Sequence, residues 1–439
     1  MGLNKEILRL SMPAIVSNIT VPLLGLCDTA ISGHLGSDVY LAAIAVGSVM
    51  LNVVYWLFGF LRMGTTGLTA EALGAGDIKG INTVFTRSLT IAILSGLVLI
   101  ALCNPLGGML LKIVDAKTEV SSEVMQYFLI CIWGAPALLA ISVINGWFVG
   151  MQTTFYAMLV SISVNVINVA ASFIFVYTLH IGFEGVAYGT LVANWIGIII
   201  AFGCCIHLRK GRLPICSLPD FMRSGGFRKY FSVNSSLFIR SLCIIAVTLG
   251  MTAAAARFGT LALAVNVILM QLCQLFSFFM DGFAFAGEAL IGLRNGEGNM
   301  PLLRRSEKYL LYWCLGLGIL FSLTYGFGAH GIASVLTDSG SVVESVGKMG
   351  IIIAILPIIS CWAFIFDGFY VGLTATKEMM FSTLLASSVF FLLVYGYIGK
   401  GIGYASASGL QWLWIAFLSY LAIRGLFLAC LWPRMINKK

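Results

Sequence analysis

Charge is scarce in this chain. Of 439 residues only 10% are Asp, Glu, Lys or Arg, where a soluble domain carries about 25%. So few charges cannot cover a water-facing surface, which excludes an ordinary soluble fold. Histidine is rarer still: the four residues His34, His180, His207 and His330 stand singly. With no clustered His, Glu or Asp spacing and no G-x-S-x-G turn in the apolar runs, neither a metal centre nor a hydrolase is expected. The eleven cysteines contain no C-x-x-C pair and lie mostly in apolar surroundings, where cysteine acts as a small buried hydrophobe. Alternation of the kind barrel strands show is also missing. No cleavable signal peptide is expected, because "MGLNKEILRLSMP" carries an early acid and the apolar run after it continues too long.

What is present is apolar sequence, at 59% of the residues. About twenty apolar residues span a bilayer as a helix. Twelve such runs occur, near 8–33, 40–62, 87–111, 124–148, 156–178, 185–208, 231–255, 260–290, 309–327, 347–372, 379–398 and 409–432. Backbone groups in lipid must be satisfied internally, so each run is expected to be a helix. An even number of spans puts both termini on one side. That side would hold eighteen Lys and Arg, including Lys438, Lys439 and the cluster Arg209, Lys210, Arg212, Arg223, Arg228 and Lys229; the other would hold five, Lys112, Lys117, Arg257, Lys348 and Lys400. The bias predicts cytoplasmic termini. It also accounts for most of the net charge of +8 without a nucleic-acid partner.

The chain repeats itself. "INGWFVGMQTT" (144–154) matches "FDGFYVGLTAT" (366–376) at an offset of 222 residues, which also pairs Gly74 with Gly296 and Gly76 with Gly298. An offset of 223 pairs Gly36 with Gly259. The expected organisation is an N-terminal lobe of six helices over 1–208, a basic linker over 209–230 and a C-terminal lobe over 231–439, in parallel orientation. Such repeats usually mark a transporter.

Charges inside spans default to functional candidates. Arg62, Glu71, Glu288 and Arg424 read as span-end residues that snorkel or pair. Arg240, Asp281 and Asp367 read as deeper and able to form one polar network in the second half. Asp28 stands apart, because the first half offers no obvious deep cation for it. It lies nineteen residues beyond Arg9, or ~28 Å at the helical rise, in the outer half of the first span. An unpaired carboxylate in a low-dielectric wall binds protons more readily than one in water. Pro22 removes a backbone donor and crowds the carbonyl of Asn18, so the helix can bend there. Uncharged polar partners are available: Asn165, Asn168 and Ser172 share one helix face, and Thr190 and Asn145 lie in neighbouring spans.

"NITVPLLGLCDTAISGHLG", "FLRMGTTGLTAEALGAGD" and "FIFDGFYVGLTAT" resemble the multidrug and toxic compound extrusion (MATE) transporters, most closely their DinF-like bacterial branch, over essentially the whole chain. The resemblance implies an all-α integral membrane protein of twelve transmembrane helices, in two pseudo-symmetric six-helix lobes around a central cavity. It implies a multi-pass, monomeric inner-membrane antiporter for small organic compounds, often cationic or aromatic, that is not an enzyme and needs no cofactor beyond a coupling ion. It places the protonation site on Asp28, with Asn168 and Thr190 beside it. It also implies an acid at position 172, where this chain has Ser172, and a run-7 Glu at about the place of Arg240. Both departures weaken a Na⁺ site, since hard cations favour charged oxygen ligands. H⁺ coupling through Asp28 is therefore the expectation, with Na⁺ coupling or a flippase of lipid-linked precursors as alternatives.

Overall fold

The computed structural model describes residues 2–33, 38–114, 120–222, 224–399 and 407–437. His34, Gly36, Lys117, Arg223, Lys400, Lys438 and Lys439 lie outside the described residues. Helices account for the fold, and there is no strand among the described residues. In chain order they are α1 (Leu3–Gly33), α2 (Asp38–Leu57), α3 (Gly59–Gly74), α4 (Ile78–Ala101), α5 (Cys103–Val114), α6 (Ser121–Cys131), α7 (Ala135–Gly150), α8 (Thr154–Phe173), α9 (Glu184–Leu208) and α10 (Leu218–Met222). Beyond them come α11 (Ser224–Arg257), α12 (Thr260–Gly296), α13 (Met300–Leu336), α14 (Gly340–Lys348), α15 (Gly350–Gly372), α16 (Thr376–Gly399) and α17 (Ala407–Asn437). A 3₁₀ turn, Ile132–Gly134, joins α6 to α7, and a π-helical segment, Ile174–Thr178, ends α8. Twelve helical stretches among the described residues are long and apolar enough to cross a membrane, as the twelve runs predict.

Helix ends differ from the run ends. Both α12 and α13 have 37 residues, against runs of 260–290 and 309–327, because hydropathy sees only the lipid-facing part of a longer helix. The third run, expected over 87–111, breaks at Leu102 between α4 and α5. Pro105 comes three residues later, and proline cannot continue the hydrogen-bond ladder of a preceding helix.

The chain forms two compact units: Met12–Phe231, and Ser232–Lys439 together with Met1–Ser11. The expected lobe limits differ from these in two respects. The first eleven residues group with the second unit, where the Glu6 carboxylate accepts from Arg294 at 3.0 Å. The linker over 209–230 groups with the first unit, tied to α4 by the Arg87 guanidinium, which donates to the carbonyls of Asp220 and Phe221 at 3.2 and 2.7 Å.

The 222-residue repeat is physical. In the first unit a Cβ placed on Gly146 would lie 2.4 Å from the carbonyl oxygen of Arg62; in the second, a Cβ on Gly368 would lie 2.4 Å from that of Ala284. Only glycine lets the backbones approach so closely. Gly76 and Gly298 both adopt φ +68°, and each precedes a helix cap. The Asp77 carboxylate accepts from the amide of Gly80 at 2.8 Å, and the Asn299 side chain accepts from that of Leu302 at 3.1 Å. Each satisfies one of the orphan donors at a helix start. Gln152 and Thr374, again 222 apart, take the left-handed backbone at φ 62° and 55° after the matching helices.

Each unit has its own core. In the first, Met50, Tyr127, Phe128, Ile132 and Leu139 form one buried cluster. A second gathers Phe85, Trp147, Phe148 and Val160, with the Phe85 and Trp147 rings edge-on at 5.5 Å. In the second unit Trp432 packs among Phe366, Phe369 and Tyr370 at 5.2–5.9 Å between ring centroids.

Candidate functional site

Helix α1 carries Pro13, Pro22 and Asp28 without interruption from Leu3 to Gly33. Its two ends are packed: Ile7, Leu10, Ala14 and Ile15 are buried, as are Ile31 and Ser32. Between them, from Val16 to Ala30, no side chain is buried. Within the first unit two polar ties flank Pro22 and Asp28. The Asn165 amide donates to the Thr20 hydroxyl at 2.8 Å, and the Tyr177 hydroxyl donates to the Ile31 carbonyl at 3.3 Å. Thr20 in turn donates to the Ser17 carbonyl at 2.7 Å. Pro22 itself is exposed.

Asp28 is half-buried, and its Oδ1 is enclosed with no hydrogen-bond partner. The carboxylate lies within electrostatic reach of Tyr127 and Cys131, both buried on α6. The Tyr127 hydroxyl is 3.5 Å from that of Ser48. These α6 groups are absent from the partners read from the sequence.

The polar partners expected around Asp28 do meet, but they meet each other. The Asn168 amide donates to the Thr190 hydroxyl at 3.0 Å, and the Ser172 hydroxyl donates to the Asn168 carbonyl oxygen at 3.4 Å. Thr190 also donates to the backbone carbonyl of Val186 at 3.2 Å. The Asp28 carboxylate takes no part in this chain of hydrogen bonds. Asn165, expected on the same face as Asn168 and Ser172, reaches α1 at Thr20. Asn145 is half-buried, with Oδ1 enclosed and unpartnered.

Packing explains a small residue at position 172. Ser172 is fully buried, and a Cβ on Gly189 would lie 2.1 Å from its Oγ and 2.7 Å from its backbone nitrogen. The two helices touch at this point, which brings Asn168 within reach of Thr190. A longer side chain here would have to point away from Gly189 or push α8 and α9 apart. The π-helical segment begins two residues later and aims Tyr177 at Ile31; such segments recur at functional sites, and no local signal in the sequence marks this one.

The second unit holds a different arrangement. Arg240 on α11 and Arg424 on α17 both donate to Oδ2 of Asp367 on α15. All three residues are at most 6% exposed. The Tyr420 hydroxyl lies 3.4 Å from the Arg424 guanidinium, and the Arg424 backbone carbonyl accepts from Ser382 at 2.9 Å. The Arg240–Asp367 pair agrees with the network read from the sequence. Arg424, read there as a span-end residue, is instead deep and paired. Asp281 is half-buried on α12. No group of three or more His, Cys, Asp or Glu among the described residues is placed to hold a metal ion, and all eleven cysteines are free thiols.

Comparison with known proteins agrees with this architecture. The MatE family model matches residues 13–174 and 237–398, one copy in each half of the chain. The DNA damage-inducible protein F of Escherichia coli (strain K12) is 32% identical over 439 residues, covering 98% of this chain and 92% of that protein. A probable multidrug resistance protein NorM of Thermotoga maritima is 26% identical over 348 residues, covering 74% and 69%. Crystal structures of MATE in bent and straight conformations superpose with TM-scores of 0.87 and 0.86 at 20% identity, covering 100% of this chain and 96% and 97% of theirs. At that identity they establish the fold alone. With twelve apolar helices, a two-fold internal repeat and these matches, the chain is a member of the MatE family, a multi-pass membrane transporter and not an enzyme.

Proposed function

We propose that the chain is an H⁺-coupled antiporter that exports small organic compounds, often cationic or aromatic, and that Asp28 is its protonation site. The observation that carries this reading is the enclosed, unpartnered Oδ1 of Asp28 within the stretch of α1 that buries no side chain. A lone buried charge costs several kcal/mol or more, and protonation removes that cost. Proton binding and enclosure of Asp28 are then linked, so each favours the other. The loosely packed middle of α1 is free to change shape, and Pro22 lies at its centre. Asn168, Ser172 and Thr190, joined to one another by hydrogen bonds, are the uncharged polar groups that Asp28 meets when the site changes shape. Two parallel repeats supply the alternating access, with both termini in the cytoplasm by the Lys and Arg bias. The protein acts as a monomer in the bacterial inner membrane and needs no cofactor beyond the coupling ion.

The second unit supports H⁺ over Na⁺ from another direction. Its Asp367 carboxylate already carries two guanidinium groups, which leaves little negative field for a hard cation.

Reconstituted vesicles test this. Efflux of ethidium is expected to follow an imposed pH gradient and to ignore an imposed Na⁺ gradient. Asp28→Asn is expected to reduce pH-driven efflux to the level of protein-free vesicles. Undiminished efflux by Asp28→Asn, or efflux driven by Na⁺ alone, overturns the assignment. For the bend, Pro22→Ala is expected to slow turnover while leaving ethidium binding in detergent unchanged; an unaltered turnover removes Pro22 from the mechanism.

A further inference from the structure

The segment between α9 and α11 has side chains that transport leaves unused. Helix α9 is 25 residues long, enough to cross a bilayer, and ends at Leu208, which places the chain beyond it next to the end of a span. The segment does not wander there. The amide of Cys216 donates to the Thr86 hydroxyl at 3.0 Å, and Arg209 donates to Asn82 at 3.3 Å. Arg87 holds the carbonyls at the end of α10 and stacks 4.1 Å from the Phe227 ring centroid. The Phe221 and Phe227 rings meet edge-on at 5.6 Å.

This rigid docking leaves a defined outer face. Over Leu213–Cys216 the side chains alternate: Pro214 is buried and Cys216 half-buried, while Leu213 and Ile215 are exposed. Leu218, two residues on, is 75% exposed. Large aliphatic side chains left exposed on a well-held backbone call for an apolar neighbour. Around them Lys210, Arg212 and Arg228 are exposed, with no ion pair or hydrogen bond from their side chains among the described residues. Of the acids on this side, Glu71 pairs with Lys229 at 2.7 Å and Asp220 accepts from Ser217 at 2.7 Å, so three cations stand against one acid without an ion pair. The face is thus aliphatic at its centre and positively charged around it.

We propose that residues 209–218, together with Arg228, form a docking face for anionic phospholipid, with Leu213, Ile215 and Leu218 entering the headgroup–acyl boundary and Lys210, Arg212 and Arg228 taking the phosphates. Apolar side chains flanked by cations bind the interface by combining burial with attraction to anionic lipid. Because Arg87, Thr86 and Asn82 fasten the segment to α4, the lipid is gripped by the first unit as a whole.

Photocrosslinking in nanodiscs of phosphatidylcholine mixed with phosphatidylglycerol tests the proposal. With p-benzoylphenylalanine in place of Ile215, lipid adducts are expected in which phosphatidylglycerol exceeds its bulk proportion several-fold. The same probe in place of Ile199, an exposed position within the α9 span, is expected to label both lipids in bulk proportion. Lys210→Gln/Arg212→Gln/Arg228→Gln is expected to return position 215 to the bulk proportion, so that the whole several-fold enrichment is lost, while labelling at 199 stays the same. Absence of lipid adducts at 215 beside normal labelling at 199 overturns the docking face. Enrichment that is missing in the parent, or that survives the triple change, overturns its preference for anionic lipid.

Discussion

The two units share a fold and differ in how they carry charge inside it. At one repeat position the second unit has Asp367 and the first, 222 residues earlier, has Asn145. Around Asp367 two arginines converge from α11 and α17. Around Asn145 no such pair of arginines gathers among the described residues, and the deep carboxylate of the first unit is Asp28, on a helix whose middle is barely packed. A carboxylate held between two guanidinium groups is a paired charge, and removing it would strand both cations. A carboxylate with an unpartnered oxygen and no ion pair among the described residues can exchange its proton. On the proposed reading of Asp28, the same scaffold therefore carries a fixed electrostatic staple in one half and a switch in the other.

That contrast can be broken in both directions. The largest effect is expected from Asp28→Asn, which removes the proposed switch: pH-driven efflux is lost, while the thermal unfolding midpoint in detergent holds or rises, because a half-buried acid with an enclosed, unpartnered oxygen is no longer present. Asp367→Asn is expected to do the reverse. It leaves Arg240 and Arg424 uncompensated and lowers stability by about 3–5 kcal/mol, read as a lower unfolding midpoint and reduced yield of monodisperse protein. If Asp367→Asn leaves the midpoint untouched, the staple is not structural and the contrast collapses.

Smaller effects sharpen what the units have in common. Gly146→Ala and Gly368→Ala each push a methyl group to 2.4 Å from a carbonyl oxygen, and each is expected to cost about 1–3 kcal/mol. Similar losses in the two variants would show that the helix crossings are equivalent; a loss in one alone would show that one unit relaxes where the other cannot. Asp77→Ala and Asn299→Ala remove matched helix caps, at about 1 kcal/mol each, in differential scanning fluorimetry. The charged cap is expected to lose part of its contribution in high salt and the neutral one to keep it, since only Asp77 acts on the helix dipole as a full charge.

Much of the fold was legible in the sequence because lipid imposes a simple rule. Long apolar runs must be helices, and a repeat offset survives wherever glycine is required, as at Gly146 and Gly368. Run ends were less legible, since α13 extends from Met300 to Leu336 well beyond its apolar part. The site divides the same way. Asp28 is conspicuous as an acid in an apolar run, and Arg240 and Asp367 stand out as a complementary pair. Arg424 was misplaced because α17 runs from Ala407 to Asn437, and depth along so long a helix cannot be measured from the chain end. Asn165 shares a face of α8 with Asn168 and Ser172 as expected, but that it bonds Thr20 on α1 could not be read from the spacing.

The sequence by itself determined the solvent, the number of crossings, the duplication and the identity of the lone acid, because each rests on composition or spacing along the chain. Which polar groups meet was decided only by tertiary structure. Hydrogen bonds and ion pairs form between helices far apart in sequence, and their partners depend on rotations and close approaches such as Ser172 against Gly189. Asp28 was visible as a charge. That its Oδ1 is left unpartnered on a loosely held helix, while Asp367 is claimed by two arginines, is a fact of packing.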